Sequence, residues 1–185
     1  DDISRLVADD VAMECQAASL DGRSIRMTDW NTLIREVLKG EWRDPETGKA
    51  AKVPFEAIRI EDSLDGGAPD LVGPLKIGKR IAVVSDTNTH EAMGKRVAKE
   101  LKALGTIDEI VMPGDTHCDE PTIARVAELT RHADGVVIVG SGSLSDACKF
   151  ATFKDGRKYA CFAPARSMNG YAALTASVTA IKASQ

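Results

Sequence analysis

The sequence predicts an open, doubly wound α/β fold with a mainly parallel sheet and helices on both of its faces. From Arg80 onward, short apolar runs typical of buried strands alternate with segments in which apolar residues recur at helical spacing. Strands separated by helices of roughly 10 to 15 residues pair in parallel through crossover connections. A composition of 43% hydrophobic and 28% charged residues is that of a globular protein, which excludes a disordered or collagen-like chain.

Length and charge narrow the class of protein further. The 185 residues suit one domain, and we predict a single domain over 1–185 in which 1–79 form a less regular N-terminal extension. A formal charge of -4 without a long Lys/Arg run indicates a small-molecule partner and no nucleic acid. No apolar stretch approaches the roughly 20 residues of a membrane span, and the polar start is no signal peptide, so we expect a cytoplasmic location. Because the chain does not begin with Met and ends without a stop signal, we expect a piece of a longer protein.

The first part of the chain is weakly patterned. Apolar residues at helical spacing predict an amphipathic helix that runs to Leu38 and stops at Gly40. Residues 41–51 are rich in turn residues, and alternating apolar and polar residues over 55–60 predict a half-buried strand. A further turn is predicted near 65–67.

The remainder reads as strand and helix units. The predicted strands are 81–84, 107–112, 135–139 and 159–162. The predicted helix starts are Asn88 as N-cap with Glu91 three residues later, Asp119-Glu120-Pro121, and the segment near Ser143. In the first of these helices, the apolar stripe comprises Met93, Val97, Leu101 and Leu104, and Gly105 closes it.

Ligands in open parallel sheets bind outside the carboxyl ends of the strands, so the residues that follow each strand are the candidate site. After the third strand, Gly140-Ser141-Gly142 allows close backbone approach, and the helix behind it aims free N–H groups at whatever lies in front. This pattern favours an anion cradle, although a tight turn that needs small residues would produce the same letters. Asp86 ends the first strand, where a carboxylate either binds a ribose or compensates a helix dipole. Asp146, one turn into the later helix, has the same two interpretations.

Metal and nucleophile patterns are weak in this sequence. His90, His117 and His132 have no ligand spacing, and we interpret them as surface residues. The cysteines at 15, 118, 148 and 161 form no CxxC pair, so neither a zinc knot nor a disulfide frame is expected. No Ser-His-Asp or Cys-His arrangement can be argued from position.

Three segments together resemble the sn-glycerol-1-phosphate dehydrogenases, which belong with glycerol dehydrogenase, iron-containing alcohol dehydrogenases and 3-dehydroquinate synthase. They are VVSDTNT over 83–89, VGSGSLSD over 139–146 and APARSMNGY over 163–171. The resemblance covers about residues 75 to 180. It implies a Rossmann-like N-terminal domain that binds NAD or NADP, and a C-terminal helical domain that holds a divalent metal such as Zn, Ni or Fe.

The resemblance also implies roles for individual residues. Asp86 resembles the residue that meets the adenosine ribose. The family's GGG-x-x-x-D loop around the pyrophosphate corresponds to a segment with Ser141 in place of the middle glycine, and its implied cofactor-binding residues are Gly140, Ser141, Gly142, Ser143, Ser145 and Asp146. Pro164 and Ser167 resemble the Thr-Ala-x-Ser segment near the nicotinamide, with Pro164 where Thr is usual. Asn169 stands where many members carry an Asp near the substrate.

The implied activity of the full-length parent is hydride transfer that reduces dihydroxyacetone phosphate to sn-glycerol 1-phosphate. The family's metal ligands, an Asp and two His, lie in the helical domain, which we expect to be absent from this chain. The chain alone is therefore expected to bind cofactor without turnover. Two alternatives stay open: glycerol or another polyol as the substrate, and, in a different class, a sugar-phosphate-binding module that uses Ser141, Ser143 and Ser145 without redox chemistry. A homodimer is also left open.

Overall fold

The computed structural model describes residues 30–50, 55–59, 63, 66–140 and 142–164, in a chain that divides into two compact units, Asp1–Lys52 and Val53–Gln185. In the first unit, α1 spans Trp30–Lys39 and ends at Gly40, whose φ of 73° is left-handed, so the predicted helix and its stop are confirmed. A turn follows, closed by an antiparallel bridge between Arg43 and Ala50.

The second unit contains a parallel sheet with the strand order β2-β1-β3-β4. Each predicted strand is confirmed, with bounds that differ by a residue at most at the amino end and two at the carboxyl end. The strands are β1 Arg80–Asp86, β2 Thr106–Met112, β3 Gly135–Val139 and β4 Lys158–Phe162. All three strand pairs are parallel, as the predicted fold class requires.

The helices of this unit connect the strands or precede them. Their bounds are α2 Ala68–Val72, α3 Thr87–Thr89, α4 Lys95–Leu101, α5 Glu120–Thr130 and α6 Gly142–Asp155. A 3₁₀ turn over Gly73–Leu75 follows α2, and a π-helical stretch over His90–Gly94 joins α3 to α4. None of the helices in the described ranges is long and apolar enough to cross a membrane.

Both faces of the sheet are buried, which explains the continuous apolar runs in β1 and β3. Alternate residues of these strands point to opposite faces. One face packs against α5 and α6 and includes Ala82, Val84, Val136 and Ile138. The other packs against α2 and α4 and includes Ile81, Val83, Val137 and Val139. The sheet is therefore covered on both sides, and the doubly wound α/β fold is confirmed.

The strand predicted over 55–60 is wrong for the residues that the structure describes, because 55–59 carry no strand. Glu56 does lie beside the sheet, with its carboxylate 3.0 Å from the Lys158 ammonium at the start of β4. Alternation makes a segment compatible with a strand, but a strand also needs backbone partners. Residue 60 lies outside the described residues.

The N-cap predicted at Asn88 is also wrong, because the helix begins earlier. Asp86 has extended backbone angles (φ -94°, ψ 172°), and its Oδ1 accepts hydrogen bonds from the backbone N–H groups of Asn88 and Thr89, each at 2.8 Å. The Thr89 hydroxyl accepts in return from the Asp86 backbone N–H at 3.1 Å, which completes a capping box. Glu91, the predicted partner in that box, instead forms an ion pair with Lys95 at 2.6 Å.

Candidate functional site

The sequence-predicted site lies where the strand order reverses, since β2 lies on one side of β1 while β3 and β4 lie on the other. β1 and β3 are neighbours, with Ser85 paired to Val139, so the strand ends at Asp86 and Gly140 are adjacent. The helix after β1 packs on one face of the sheet, and the helix after β3 packs on the other. Such a topological switch point opens a crevice at the carboxyl edge, which is the usual ligand site of this architecture.

Asp86 contributes a carboxylate to this crevice while it caps the helix behind it. Oδ1 is occupied by the two backbone N–H groups of the cap. Oδ2 lies toward Gly140, because a Cβ built on that glycine would be 4.0 Å from it. The cap therefore fixes the carboxylate and leaves one oxygen directed at the crevice. Both interpretations of Asp86, helix compensation and ligand contact, are compatible with this geometry.

The two glycines of the loop are not required by packing. Among the described residues, a Cβ on Gly140 would meet no atom closer than 3.7 Å, and a Cβ on Gly142 would meet none within 4 Å. Gly142 instead needs glycine for its backbone, since its φ is 59°. Open space in front of both residues is what close approach of a ligand to the backbone would use. The positive φ of Gly142 is what a tight turn requires, and the open space beside both glycines is compatible with the anion cradle.

The helix behind the loop strengthens this interpretation. α6 has 14 residues and carries no acidic side chain in its first turn. Its first backbone N–H groups have no intrahelical acceptor, and the helix dipole places partial positive charge there. Gly142 and the half-buried Ser143 form this N-terminus. The arrangement can hold an anion such as a phosphate.

Further along α6, Ser145 and Asp146 are buried. Asp146 lies 3.4 Å from the ammonium of Lys149, one turn further on. Ser145 is 0% exposed, and its hydroxyl is 2.7 Å from the Tyr159 hydroxyl of β4. The Ser145 side chain therefore contacts the sheet.

Pro164 lies two residues beyond the end of β4, half-buried at the carboxyl edge of the sheet. The structure thus brings Asp86, Gly140, Gly142 and Ser143 to neighbouring strand ends, with Pro164 after the adjacent strand. The predicted site residues Ser141, Ser167 and Asn169 lie outside the described residues, and their roles stay predictions.

Sequence reasoning missed three residues near the loop. Thr89 completes the capping box, and its hydroxyl would be 3.7 Å from a Cβ on Gly140. The spacing Asp86-x-x-Thr89 was the signal that could have identified it. Tyr159 and Cys161 contact α6 and the loop from β4, and only the tertiary structure shows those contacts.

The described ranges contain no group of three or more His, Cys, Asp or Glu side chains that could hold a metal ion. His117 and His132 are exposed, and the half-buried His90 is hydrogen bonded through Nδ1 to the Ser85 hydroxyl at 3.2 Å. Cys118, Cys148 and Cys161 are free thiols, and burial raises the pKa of each. These thiols are therefore protonated near neutral pH and poorly nucleophilic.

A separate cleft of about 370 Å³ lies between α5 and α6. Its lining is mainly apolar and includes Ile123 and Phe150, and its charged members are Glu120, Lys154 and Asp155. No sequence-predicted site residue lines it. This cleft is an alternative to the carboxyl edge of the sheet as a ligand site in the described structure.

Comparison with known families identifies the fold's relatives. The model of the iron-containing alcohol dehydrogenase family matches residues 59–184, which is more than half of the chain and includes the whole sheet. The chain belongs to the iron-containing alcohol dehydrogenase family. The predicted resemblance to this superfamily is thereby confirmed.

Curated members of the family that resemble the chain are named glycerol-1-phosphate dehydrogenase [NAD(P)+]. The protein from Bacillus velezensis is 30% identical over 95 residues, which are 48% of this chain and 24% of that protein. The protein from Thermococcus sibiricus is 26% identical over 129 residues, which are 69% of this chain and 36% of that protein. The chain thus spans about a quarter to a third of the length of the curated relatives it matches.

Among solved structures, glycerol dehydrogenase from Schizosaccharomyces pombe overlaps the chain with a TM-score of 0.47 at 12% identity. The overlap covers 54% of this chain and 25% of that structure.

Proposed function

We propose that this chain is the NAD(P)-binding part of a metal-dependent glycerol-1-phosphate dehydrogenase. The observation that carries the proposal is the juxtaposition at one switch point of the Asp86 carboxylate, the open Gly140 and Gly142 backbone, and the N-terminus of α6. A dinucleotide presents a ribose diol and a pyrophosphate, which are the partners that a carboxylate and a helix N-terminus recognise. The family match and the names of the curated relatives support this choice.

In this proposal the loop and α6 hold the pyrophosphate. The backbone N–H groups from Gly142 onward donate to phosphate oxygens, and the absence of acidic residues from the first turn of α6 keeps the local field positive. Open space at Gly140 and Gly142 lets the phosphate approach the main chain. The bound dinucleotide supplies the hydride-transfer chemistry.

Asp86 orients the adenosine end of the dinucleotide. Its capping bonds hold Oδ1, so Oδ2 is the atom available to accept from a ribose hydroxyl. Because both NAD and NADP present a ribose at this point, the cofactor is proposed as NAD or NADP. Pro164, Ser167 and Asn169 are proposed toward the nicotinamide and the substrate, as the family resemblance implies.

The described residues contain no group of three or more His, Cys, Asp or Glu side chains that could hold the divalent metal. As the family resemblance implies, we propose that its ligands lie in a C-terminal helical domain, and we assign no step of metal chemistry to the described residues. The proposed substrate is dihydroxyacetone phosphate, which the full-length parent reduces to sn-glycerol 1-phosphate in the cytoplasm. The curated relatives' names favour this phosphorylated substrate over a free polyol.

A fluorescence titration tests this proposal against the sugar-phosphate module. NADH is added to the chain, and dihydroxyacetone phosphate or sn-glycerol 1-phosphate is then titrated into the complex. We expect saturable NADH binding that neither sugar phosphate displaces at an equal concentration. Failure to bind NADH, together with saturable binding of a sugar phosphate by calorimetry, would favour the module instead.

A further inference from the structure

β4 is hydrogen bonded both to Gly140, where the loop begins, and to the first turns of α6, which follow the loop. On one side, its Phe162 and Cys161 bond to the backbone of Gly140. On the other, its Tyr159 bonds to Ser145 in the first turns of α6. Gly140 and the first turns of α6, which we assign to the pyrophosphate, are thus each bonded to the neighbouring strand.

The Gly140 backbone is held on both its donor and its acceptor. Its N–H donates to the Phe162 carbonyl at 3.0 Å, which extends the β3–β4 ladder by one bond beyond the last residue of β3. Its carbonyl accepts from the Cys161 thiol at an S···O distance of 3.5 Å. Because Gly140 has no side chain, these backbone bonds are what fix its position.

The second anchor is a buried hydroxyl pair. Ser145 is 0% exposed, and its Oγ is 2.7 Å from the Tyr159 hydroxyl and 3.9 Å from the Cys161 sulfur. Ser145 lies three residues after the first residue of α6, so this contact fixes the rotation of the first turn against β4.

The Gly140 carbonyl sets the direction of the hydrogen bonds among these side chains. A carbonyl oxygen can only accept, so the Cys161 S–H must donate to Gly140. The sulfur then accepts from the Ser145 hydroxyl, whose oxygen in turn accepts from the Tyr159 O–H. Burial raises the pKa of Cys161 and raises that of Tyr159 well above its ordinary value, so both groups keep the protons that this order requires.

We propose that Tyr159, Ser145 and Cys161 are positioning residues that hold the loop and the N-terminus of α6 in the geometry that binds the dinucleotide pyrophosphate. The proposal rests on the proposed function for its ligand, while the ordering of the loop is a property of the chain by itself. It also gives Ser145, which the resemblance assigns to the cofactor site, a supporting role in place of direct contact. These residues act through the backbone that they fix.

The test uses Tyr159→Phe and Cys161→Val, which remove the two donors and keep the volume of each side chain nearly unchanged. Cys161→Ser restores a donor, and Thr152→Val is a matched control. Thr152 is buried in the same helix and donates to the Cys148 carbonyl at 2.8 Å, away from the loop. Each variant is first checked for cooperative unfolding.

The first readout is hydrogen exchange of the unliganded chain at the amides of Gly140, Asp146 and Ala147. The Gly140 amide reports the bond to β4. The amides of Asp146 and Ala147 report the α-helical bonds to the carbonyls of Gly142 and Ser143, the first two residues of α6. We expect both donor-removing variants to exchange these amides about three- to tenfold faster, the range that the loss of one net hydrogen bond allows. Cys161→Ser should restore slow exchange, and Thr152→Val should leave these three amides unchanged. Unchanged exchange in both donor-removing variants would overturn the proposal.

The second readout is NADH affinity measured beside that of adenosine. We expect Tyr159→Phe and Cys161→Val to weaken NADH binding by about the factor seen in exchange, while adenosine, which has no pyrophosphate, binds equally to all variants. Equal loss for both ligands would assign the residues a general structural role and overturn the proposal. A wild-type chain that binds neither ligand would refute the proposed function, and the exchange result would still decide whether the loop is ordered by β4.

Discussion

Gly142 is the residue at which backbone conformation and ligand space meet. Its φ of 59° and the absence of any atom within 4 Å of a built Cβ are shared by Gly156, at the other end of α6, whose φ is 67°. A side chain at either position therefore carries similar backbone strain and meets no steric clash. The two glycines differ in that Gly142 alone lies at the proposed pyrophosphate site.

This pair gives a matched test of the loop. We expect Gly142→Val to weaken NADH binding at least about tenfold, because the β-branched side chain occupies the space that the phosphate needs. Gly156→Val should lose a similar amount of stability, of order 1 kcal/mol or more, and keep its NADH affinity. Thermal unfolding and NADH titration of both variants check this. Equal affinities of a folded Gly142→Val and the wild type would remove the loop from the site.

At the scale of elements, the two central strands were predictable because both of their faces are buried. β1 and β3 are continuous runs of Val, Ile and Ala, and burial on both faces is what permits such runs. The segment 55–59 shows the limit of the same reasoning, since its alternation describes side chains and says nothing of backbone partners. The cap at Asp86 was missed because the strand and the helix share that residue, which left no loop to announce the boundary.

The position of the candidate site in the fold was predictable to the extent that it is made of backbone and strand ends, while its role in binding stays a prediction. Gly140, Gly142 and Asp86 follow from sequence position, because parallel strands bring their carboxyl ends to one edge. The contact between Ser145 and Tyr159 could not be predicted, since it depends on how α6 rotates against β4. Packing sets the distances between side chains of different elements, and these distances cannot be predicted from a single sequence.

A contact between a turn and a strand lies at the amino ends of the strands, at the opposite edge of the sheet from the candidate site. The Asp134 carboxylate accepts from the backbone N–H groups of Lys79 and Arg80, at 2.7 and 2.9 Å, and so fastens the start of β1 to the turn before β3. The hydrogen bond from the Arg80 N–H has the largest effect on the pKa of Asp134, and the bond from the Lys79 N–H has the next largest. Together they lower this pKa below its ordinary 3.8. A carboxylate with a lowered folded pKa stabilises the fold above its unfolded pKa, and this contribution is lost as the pH falls through the folded pKa.

Asp134→Asn should therefore be less stable than the wild type near pH 7, and the difference should shrink as the pH falls below 3.8. Urea unfolding midpoints across this range measure it. The control is Asp115→Asn, since Asp115 is exposed and no hydrogen bond to it is found in the described structure. A stability difference for Asp134→Asn that stays constant with pH would show that the carboxylate charge does not hold this turn.

On the scale of the whole molecule, cofactor binding and catalysis are expected to separate. The described residues include the proposed anion cradle and contain no group of three or more His, Cys, Asp or Glu side chains that could hold a metal ion. The chain matches about a quarter to a third of the length of its curated relatives. In the proposed reaction a bound divalent metal would supply Lewis-acid stabilisation of negative charge on the substrate oxygen, and orientation alone leaves most of the barrier.

We expect the 185-residue chain supplied with Zn²⁺ or Ni²⁺ to form no measurable NADH from NAD⁺ and sn-glycerol 1-phosphate. A full-length parent assayed beside it under the same conditions should turn over. Metal-dependent activity of the short chain that is sensitive to substitution of His90 or His117 would place the metal site within these residues.

We propose that the dinucleotide lies across the carboxyl edge of the sheet at the β1–β3 switch point. Amide NMR of the isotope-labelled chain tests this position most directly. On addition of NADH, we expect the largest chemical-shift changes at the amides of Asp86, Gly140, Gly142 and Ser143. Changes confined to the α5–α6 cleft, at Ile123, Phe150 and Lys154, with the strand ends unaffected, would contradict the account.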